Sequence, residues 1–258
     1  MNELLTITSH EIQLFLLVVT RVGALVMTSP HLGSAVVPVR VRVFLTLTLA
    51  ILLAPLVSQG AAPPAENIAG LVVQIAQELM IGTALGMSIQ ILVAGLQISG
   101  QTASQMAGVS LADVIDPTFE AQIPAFSQVL HLVALLVFLV GGGHHDLMRA
   151  LIDSFRWLPP GQSPPTAEIT SALMDIMSQS FILGLRAAAP IMVALLVATL
   201  LLALISRTVP QLNVMALGFG LNVAVLLGTL AFSLGTVVWV FQDEVTAALL
   251  IVQEALQS

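Results

Sequence analysis

Six long apolar segments constrain what this chain can fold into more than any other feature of its sequence. A transmembrane helix needs about 20 predominantly apolar residues to cross a hydrocarbon core about 30 Å thick. The third and sixth segments hold about thirty residues each, which is roughly 45 Å of straight helix. We therefore predict an all-α integral membrane protein in which long helices are tilted, bent or paired as hairpins. The segments span residues 12–27, 43–57, 68–98, 123–140, 181–205 and 212–241.

The composition excludes several classes of protein. Hydrophobic residues make up 57% of the chain and charged residues 8%, whereas soluble domains carry about 25% charged residues. An ordinary soluble enzyme, a disordered protein and a nucleic-acid-binding protein are therefore not expected. The absence of cysteine excludes disulfides and thiolate metal sites. The N-terminus lacks the basic region of a signal peptide, so we expect the first apolar segment to be retained.

Most of the charged residues lie between or beside the apolar segments. Six crossings would place two arginines in the loops of one side and three in those of the other, so the positive-inside rule does not orient the chain. Residues 146–155 and 166–178 have amphipathic helical patterns that suit an interface or a partner. The tail, residues 243–258, opens with Asp243 and Glu244, a pair that predicts a helix N-terminus there.

A few ionisable residues lie inside apolar segments, where a charge costs about 2.5–3.5 kcal/mol on insertion scales. Either Arg21 or Arg186 could neutralise Glu78, and the sequence does not distinguish the two pairings. We favour a structural ion pair over a proton relay, because a relay needs a chain of acids and histidines. His131 is predicted to be a hydrogen-bonded packing residue.

Two glycine-containing motifs have structural interpretations. Gly82 and Gly86 form a small-xxx-small pattern, which predicts close approach of another helix. Residues 141–143 are glycines and precede His144 and His145. Adjacent histidines point in different directions on a helix and rarely bind one ion, so we expect the end of a segment here and no metal site.

Residues 100–124 join two strongly apolar segments, yet they mix apolar and acidic side chains. Irregular backbone at membrane depth is tolerated only where it is buried in protein or lines a water-filled cavity. A long loop with its own apolar residues is usually functional. The residues alone leave two interpretations open, a surface loop and a loop that lines or closes a pore.

Short motifs along the chain resemble the FliR family of flagellar type III export proteins. Their order and spacing agree from about residue 12 to residue 225. Gly220 departs from the family pattern, in which proline is common at that position. The motifs are Arg21 with Pro30, Gly33, Pro38 and Val39-Arg40-Val41-Arg42; Gln105-Met106-Ala107-Gly108 with Asp116-Pro117 and Pro124; Gly143-His144-His145 with Arg149; and Arg207 with Pro210-Gln211-Leu212-Asn213 and Gly218-Phe219.

The resemblance implies a single membrane domain over residues 1–258, built of helical hairpins with broken helices that pack into a multi-subunit export gate. FliP-like and FliQ-like subunits would be its direct partners, and FlhB-like and FlhA-like export proteins would associate with it. The gate would pass unfolded protein substrates through the bacterial inner (cytoplasmic) membrane at the flagellar basal body. No cofactor, enzymatic activity or nucleic-acid partner is expected.

The resemblance also implies that the central loop is a plug that keeps the channel closed. Carried over to this chain, the plug spans about residues 105–124 and begins at Gln105, with Gly100 and Gly108 as hinges. An apolar constriction excludes water, and flexible methionine side chains repack around varied substrates. The implied sealing residues are Met106, Val109, Leu111 and Phe119, the implied anchors are Asp113 and Asp116, and Pro117 restricts the turn.

Three alternative functions would each require particular features of the sequence. An injectisome export-gate subunit would share the fold, although the Gly-His-His stretch favours the flagellar branch. A proton-coupled secondary transporter using Glu78, Arg21 and Arg186 would predict an internal repeat with paired broken segments, and we find no convincing repeat. An intramembrane enzyme would need a nucleophile–base pair or a metal motif, which the sequence lacks.

Overall fold

The computed structural model describes residues 2–34, 36–57, 60, 62–108, 125–208 and 214–257. Within these ranges the chain forms seven α-helices and no strand, which confirms the predicted all-α class. The helices are α1 (Asn2–Thr28), α2 (Val39–Val57), α3 (Ile68–Ala107), α4 (Ala125–Val140), α5 (Gly143–Trp157), α6 (Thr166–Thr208) and α7 (Val214–Gln257).

The described helices are long and apolar enough to confirm an integral membrane protein. Five of them, α1, α2, α3, α6 and α7, can each cross a bilayer by length and composition. A sixth span results if α4 and α5 together form one broken span. Gly142 lies at this break with a φ of +81°, a conformation that side chains with a Cβ rarely adopt. This bent pair is either a broken span or a re-entrant loop.

The helices extend beyond the apolar segments from which they were predicted. Residues 166–178 are continuous with the apolar run that follows them, so α6 has 43 residues. Helix α7 has 44 residues, and the predicted helix N-terminus at Asp243 and Glu244 is wrong because both residues lie in its interior. Glu244 is paired with Arg186, whose Nη1 lies 3.9 Å from Glu244 Oε1.

Helix α3 also continues further than predicted, through residues that we assigned to the central loop. It has 40 residues and ends at Ala107. Gly100 is not a hinge: a Cβ on it would lie 2.7 Å from Ser127 Cα, so the glycine permits close backbone approach. Gly108 follows the helix with a φ of +77°, which makes it a helix-terminating glycine.

The described residues cluster into two compact units. The first comprises residues 1–91, 142–177 and 245–258, and the second comprises residues 92–141 and 178–244. Parts of α3, α4, α6 and α7 form an apolar core inside the second unit. Its buried members are Ala103, Ala107, Phe126, Leu130, Ile191, Leu195, Leu226 and Leu230.

Inside the first unit, the small-xxx-small pattern of α3 packs closely against α1, as predicted. A Cβ on Gly82 would clash with Arg21 O and the Ala24 side chain. One turn later, a Cβ on Gly86 would clash with Thr28 Oγ1 and lie 3.0 Å from Leu25 O. Side chains at either glycine would separate the two helices, so the pattern positions α1 against α3.

Inside the second unit, α3 and α6 make a similar close approach at Gly95 and Gly184. A Cβ on Gly184 would lie 2.5 Å from Gly95 O. We expect Gly184→Ala to lower the free energy of unfolding by about 1–3 kcal/mol, the usual range for overpacking. Thermal unfolding of the purified chain in detergent measures the change.

Gly228→Ala is the matched control for this prediction. Gly228 has no atom within 4 Å of an added Cβ. Alanine in a helix interior is about 0.5–1 kcal/mol more favourable than glycine, so this variant is expected to be as stable as the parent or more stable. Equal stability of both variants would show that α3 and α6 do not need the close approach.

Candidate functional site

The two charges at the centre of the first unit form one ion pair. Arg21 on α1 and Glu78 on α3 are both fully buried. Arg21 Nε donates to Glu78 Oε2 at 2.6 Å and Nη2 donates to Oε1 at 3.1 Å. This two-point geometry is the strong form of an arginine–carboxylate interaction. Of the two pairings that the sequence allowed, the structure contains the one with Arg21.

The rest of the Arg21 guanidinium is bound by α5 and the residue that follows it. Nη1 donates to Ser154 Oγ at 3.2 Å, and Nη2 donates to Leu158 O at 2.9 Å. The guanidinium carbon lies 4.2 Å from the centroid of the Phe155 ring, within the range of a cation–π interaction. One arginine therefore links α1 to both α3 and α5.

Glu78 has a further partner in the turn after α5. The Gly161 amide donates to Glu78 Oε1 at 2.8 Å. Gly161 has a φ of +84°, and this conformation turns its N–H toward the carboxylate at a position that favours glycine. The sequence predicts a break at Pro159-Pro160-Gly161, but it does not identify Ser154 or Gly161 as partners of the ion pair. The signal that marks the connector is a glycine after two prolines, which predicts a tight turn but not its partner.

This network favours a structural role for the pair over proton transfer. Among the described residues, the side chains of Arg21 and Glu78 have three hydrogen-bond partners apart from each other: a hydroxyl, a backbone carbonyl and a backbone amide. None is a carboxylate or an imidazole that could accept a proton and pass it on. Arg186 takes no part, since it lies 3.9 Å from Glu244 with its side chain 65% exposed.

His131, also inside an apolar helix, is hydrogen-bonded as predicted. Its Nδ1 lies 2.8 Å from Gln97 Nε2, which links α4 to α3 within the second unit. Ser127, one turn earlier on α4, donates to Gln97 O at 2.9 Å. These contacts satisfy polar groups between neighbouring helices, as expected for a packing residue.

The implied plug begins at the end of α3. Gln105 is exposed in the last turn, and the Gly108 amide donates to Gln105 O at 3.1 Å. Met106 packs against the apolar core of the second unit, so this implied sealing residue anchors the start of the loop. The other implied plug residues, Val109, Leu111, Asp113, Asp116, Pro117 and Phe119, lie outside the described residues.

The two arginines of the family motif near the start of α2, Arg40 and Arg42, have different surroundings. Arg42 Nη2 donates to Ser34 O at 2.6 Å and to Val37 O at 2.8 Å, so it fixes the connection between α1 and α2. Arg40 is exposed in the first turn of α2. Arg207 is exposed in the last turn of α6, and Pro210, Gln211 and Asn213 lie outside the described part of the chain.

The two histidines of the family motif, His144 and His145, lie in the first turn of α5. The rings of His144 and His145 have centroids 4.0 Å apart. Burial lowers the pKa of His31, and its electrostatic interaction with His144 lowers that pKa further. Among the described residues, no three His, Cys, Asp or Glu side chains form a group that could hold a metal ion.

Much of the most apolar surface of α6 and α7 is not covered by the chain itself. In an apolar stretch of 18 residues within each helix, only 22% of the residues of α6 and 17% of those of α7 are buried within the chain. Phe232 is 92% exposed and Trp239 is 65% exposed. Surface of this kind requires lipid or other protein subunits to cover it.

Comparisons with known proteins place the sequence among export proteins. The sequence model of the bacterial export proteins, family 1, matches residues 12–248. The flagellar biosynthetic protein FliR of Caulobacter vibrioides is 29% identical over 236 residues, covering 92% of this chain and 94% of that protein. FliR of Escherichia coli is 31% identical over 226 residues, 86% of each chain. FliR of Bacillus subtilis is 31% identical over 215 residues, 82% of each chain.

Proposed function

The chain belongs to the bacterial export proteins, family 1, and we propose that it is a non-enzymatic subunit of the flagellar type III protein export gate. The match over residues 12–248 is the observation that carries this proposal. The alignments with relatives named as flagellar biosynthetic proteins extend over most of this chain and most of each relative. These relatives support a role in flagellar export over a role in an injectisome. The protein is a membrane protein of the flagellar apparatus, and we place it in the inner membrane at the basal body.

Uncovered apolar surface supports assembly with FliP-like and FliQ-like subunits. Helices α3, α6 and α7 have 40, 43 and 44 residues, or about 60–66 Å along the helix axis at 1.5 Å per residue. A bilayer core of about 30 Å covers only half of such a length. The apolar surface beyond it then needs protein neighbours, which sister subunits of the gate would provide.

Closure of the channel is assigned to the segment that follows α3. The start of this segment would be held in place by Met106, which packs against the core of the second unit. Gly108, with its positive φ, ends helix α3. Residues 109–124 would then seal the pore with their apolar side chains. Unfolded substrates would pass when the segment moves, and FlhB-like and FlhA-like proteins would associate with the gate.

Co-expression tests the assembly. We expect a tagged form of the full chain, produced with the FliP-like and FliQ-like proteins of the same bacterium, to purify with both in detergent. Native mass spectrometry of the complex then identifies each subunit and its copy number. Recovery of the chain as a stable monomer, free of both partners, from membranes that contain all three would contradict the proposal.

Two exposed aromatic residues of α7 sharpen this experiment. Phe232 and Trp239 are seven residues apart and share one face of the helix. Since aromatic residues at the hot spots of an interface contribute about 2 kcal/mol or more each, we expect Phe232→Ala with Trp239→Ala to lower recovery of the partners by about tenfold or more. Phe232→Leu with Trp239→Leu, which keeps this face of α7 apolar, is the control and is expected to retain more of both partners.

A further inference from the structure

A groove between α1, α2 and α3 lies within the first unit and has a volume of about 410 Å³. Aliphatic side chains line it along most of its length, among them Val19, Met27, Val43, Leu47 and Leu79. Val19 and Met27 are eight residues apart on α1, so the groove extends for about 12 Å along that helix. All three helices are candidate membrane spans, so a lipid chain is available to fill the groove.

The charge near one end of the groove is positive. Arg40 and Arg42 lie in the first turn of α2. Arg40 is one turn before Val43, a groove residue, and Arg42 is one turn before Thr46, another. The sequence has no acidic residue between Glu11 and Glu66. An anionic group would therefore meet two guanidinium groups here, and residues 12–65, which include all of α2, contribute no carboxylate.

One hydroxyl in the groove has no hydrogen-bond partner in the part of the chain that the structure describes. The groove contains four threonines, and three of them donate to carbonyls of their own helices: Thr20 to Leu16 O, Thr28 to Ala24 O and Thr83 to Met80 O. Thr46 is 6% exposed, and its Oγ1 has no partner among the described residues. A buried hydroxyl without a partner costs free energy, so an occupant with an acceptor is favoured.

We propose that the groove binds one anionic phospholipid. Its phosphodiester would lie against Arg40 and Arg42 Nη1, which has only the Met27 sulfur beside it at 4.0 Å among the described residues, since Nε and Nη2 of Arg42 bind Ser34 O and Val37 O. Thr46 Oγ1, about 6 Å further along α2, is itself buried and would donate to an ester carbonyl of the glycerol backbone after rotation about the Cα–Cβ bond turns it into the groove. One acyl chain would then lie along the aliphatic lining toward Val19 and Leu79. The site does not depend on the proposed export function.

Size and chemistry favour a lipid over a helix from another protein. A helix with its side chains is about 10–12 Å wide, too wide to enter a groove of about 410 Å³. Pockets of this volume typically accept a small molecule or part of one. Two arginines are too few for a polybasic segment that attracts a membrane surface, but a single phosphodiester needs only one or two guanidinium groups.

Native mass spectrometry of the full chain in detergent tests the site. The chain is titrated with phosphatidylglycerol or with phosphatidylcholine of identical acyl chains, and bound lipids are counted. We expect tighter binding of phosphatidylglycerol, and an Arg40→Gln variant that weakens its binding about fivefold while phosphatidylcholine binding is unchanged. Val43→Trp, at a residue already 45% exposed, should fill the groove and reduce the occupancy of both lipids.

Two further variants separate the lipid site from general effects. Arg207→Gln removes an exposed helix-terminal charge in the other unit and should leave the preference for phosphatidylglycerol intact. Thr46→Val keeps the shape of the side chain without its hydroxyl and should weaken both lipids. Equal binding of the two lipids by the parent chain, or binding unaffected by both Arg40→Gln and Val43→Trp, would overturn the proposal. So would a Val43→Trp variant that loses a FliP-like or FliQ-like subunit but still binds phosphatidylglycerol.

Discussion

Replacing Glu78 by leucine is expected to lower the free energy of unfolding by about 3–5 kcal/mol, the usual cost of breaking a buried ion pair by removing one partner. The substitution leaves the Arg21 guanidinium fully buried without its carboxylate. It also removes the acceptor of the Gly161 amide. Ser154 and Leu158 O still bind Arg21, but both are neutral groups.

Arg21→Met should be destabilising for the same reason, because a buried carboxylate would then keep only the Gly161 amide as a partner. The double variant Arg21→Met with Glu78→Leu should be more stable than either single variant. Replacing a buried pair by apolar residues of similar volume is often nearly neutral. Unfolding of the full chain in mixed detergent micelles, followed by circular dichroism, gives the four free energies of this double-mutant cycle.

The second ion pair in an apolar helix is the matched control. Arg186 and Glu244 are 3.9 Å apart, and their side chains are 65% and 19% exposed. Exposed pairs contribute at most about 1 kcal/mol, so Arg186→Met with Glu244→Leu should change the stability little. If this variant and Glu78→Leu cost the same, or if the cycle shows no coupling between Arg21 and Glu78, the buried pair does not hold the first unit together.

Deleting residues 109–119 from the assembled export gate should raise the permeability of the membrane to small ions several-fold. The deletion starts after Gly108, because α3 extends to Ala107 and both Ala103 and Ala107 belong to the core of the second unit. A deletion from Gln105 onward would remove Met106 and Ala107 from that core. Its effect on permeability would then be mixed with an effect on folding.

The physical reason for the expected leak is the loss of an apolar constriction. A channel that passes an unfolded chain is wide enough for hydrated ions, and apolar side chains prevent their passage by excluding water. Replacing residues 109–119 by an equally long Gly-Ser segment should therefore leak as well, since length alone does not exclude water. A closed channel with the Gly-Ser segment would show that steric filling is sufficient.

Ion flux through vesicles that contain the purified complex measures this effect. The complex with the unaltered chain is the reference. Native mass spectrometry must show that the variant complexes contain the same subunits as the parent. Unchanged permeability in a complete complex would exclude the segment as the seal and would leave the role of the chain in assembly standing.

The positions of the helices could be predicted from the sequence because hydrophobicity acts locally. All six apolar segments lie in helices wherever they are described. Helix ends were harder to predict. The last nine residues of α3, 99–107, are mainly small or polar and were assigned in part to a loop, but their packing in the second unit keeps them helical. Asp243 resembles a helix start, yet helix continues on both sides of it.

The central segment shows how far a resemblance extends. Its motifs imply a plug over about residues 105–124, and this assignment remains a prediction. The structure adds the base of the segment, with Met106 in a core and Gly108 in a left-handed conformation. It also shows that Gly100 serves close packing and does not act as a hinge. The sequence does not distinguish the roles of the two glycines, because each role depends on the residues that pack around the glycine in the folded chain.

Two conclusions follow from the residue types alone: this is an all-α membrane protein, and the charges within its apolar helices need partners. Both rest on the cost of placing polar groups in lipid, which depends on residue type. The pairing of Glu78 with Arg21 and of Arg186 with Glu244 is a result of helix packing. The same packing brings Ser154 and Gly161 to the buried pair. Contacts between residues more than fifty positions apart depend on how helices pack, and several pairings satisfy the same local requirement.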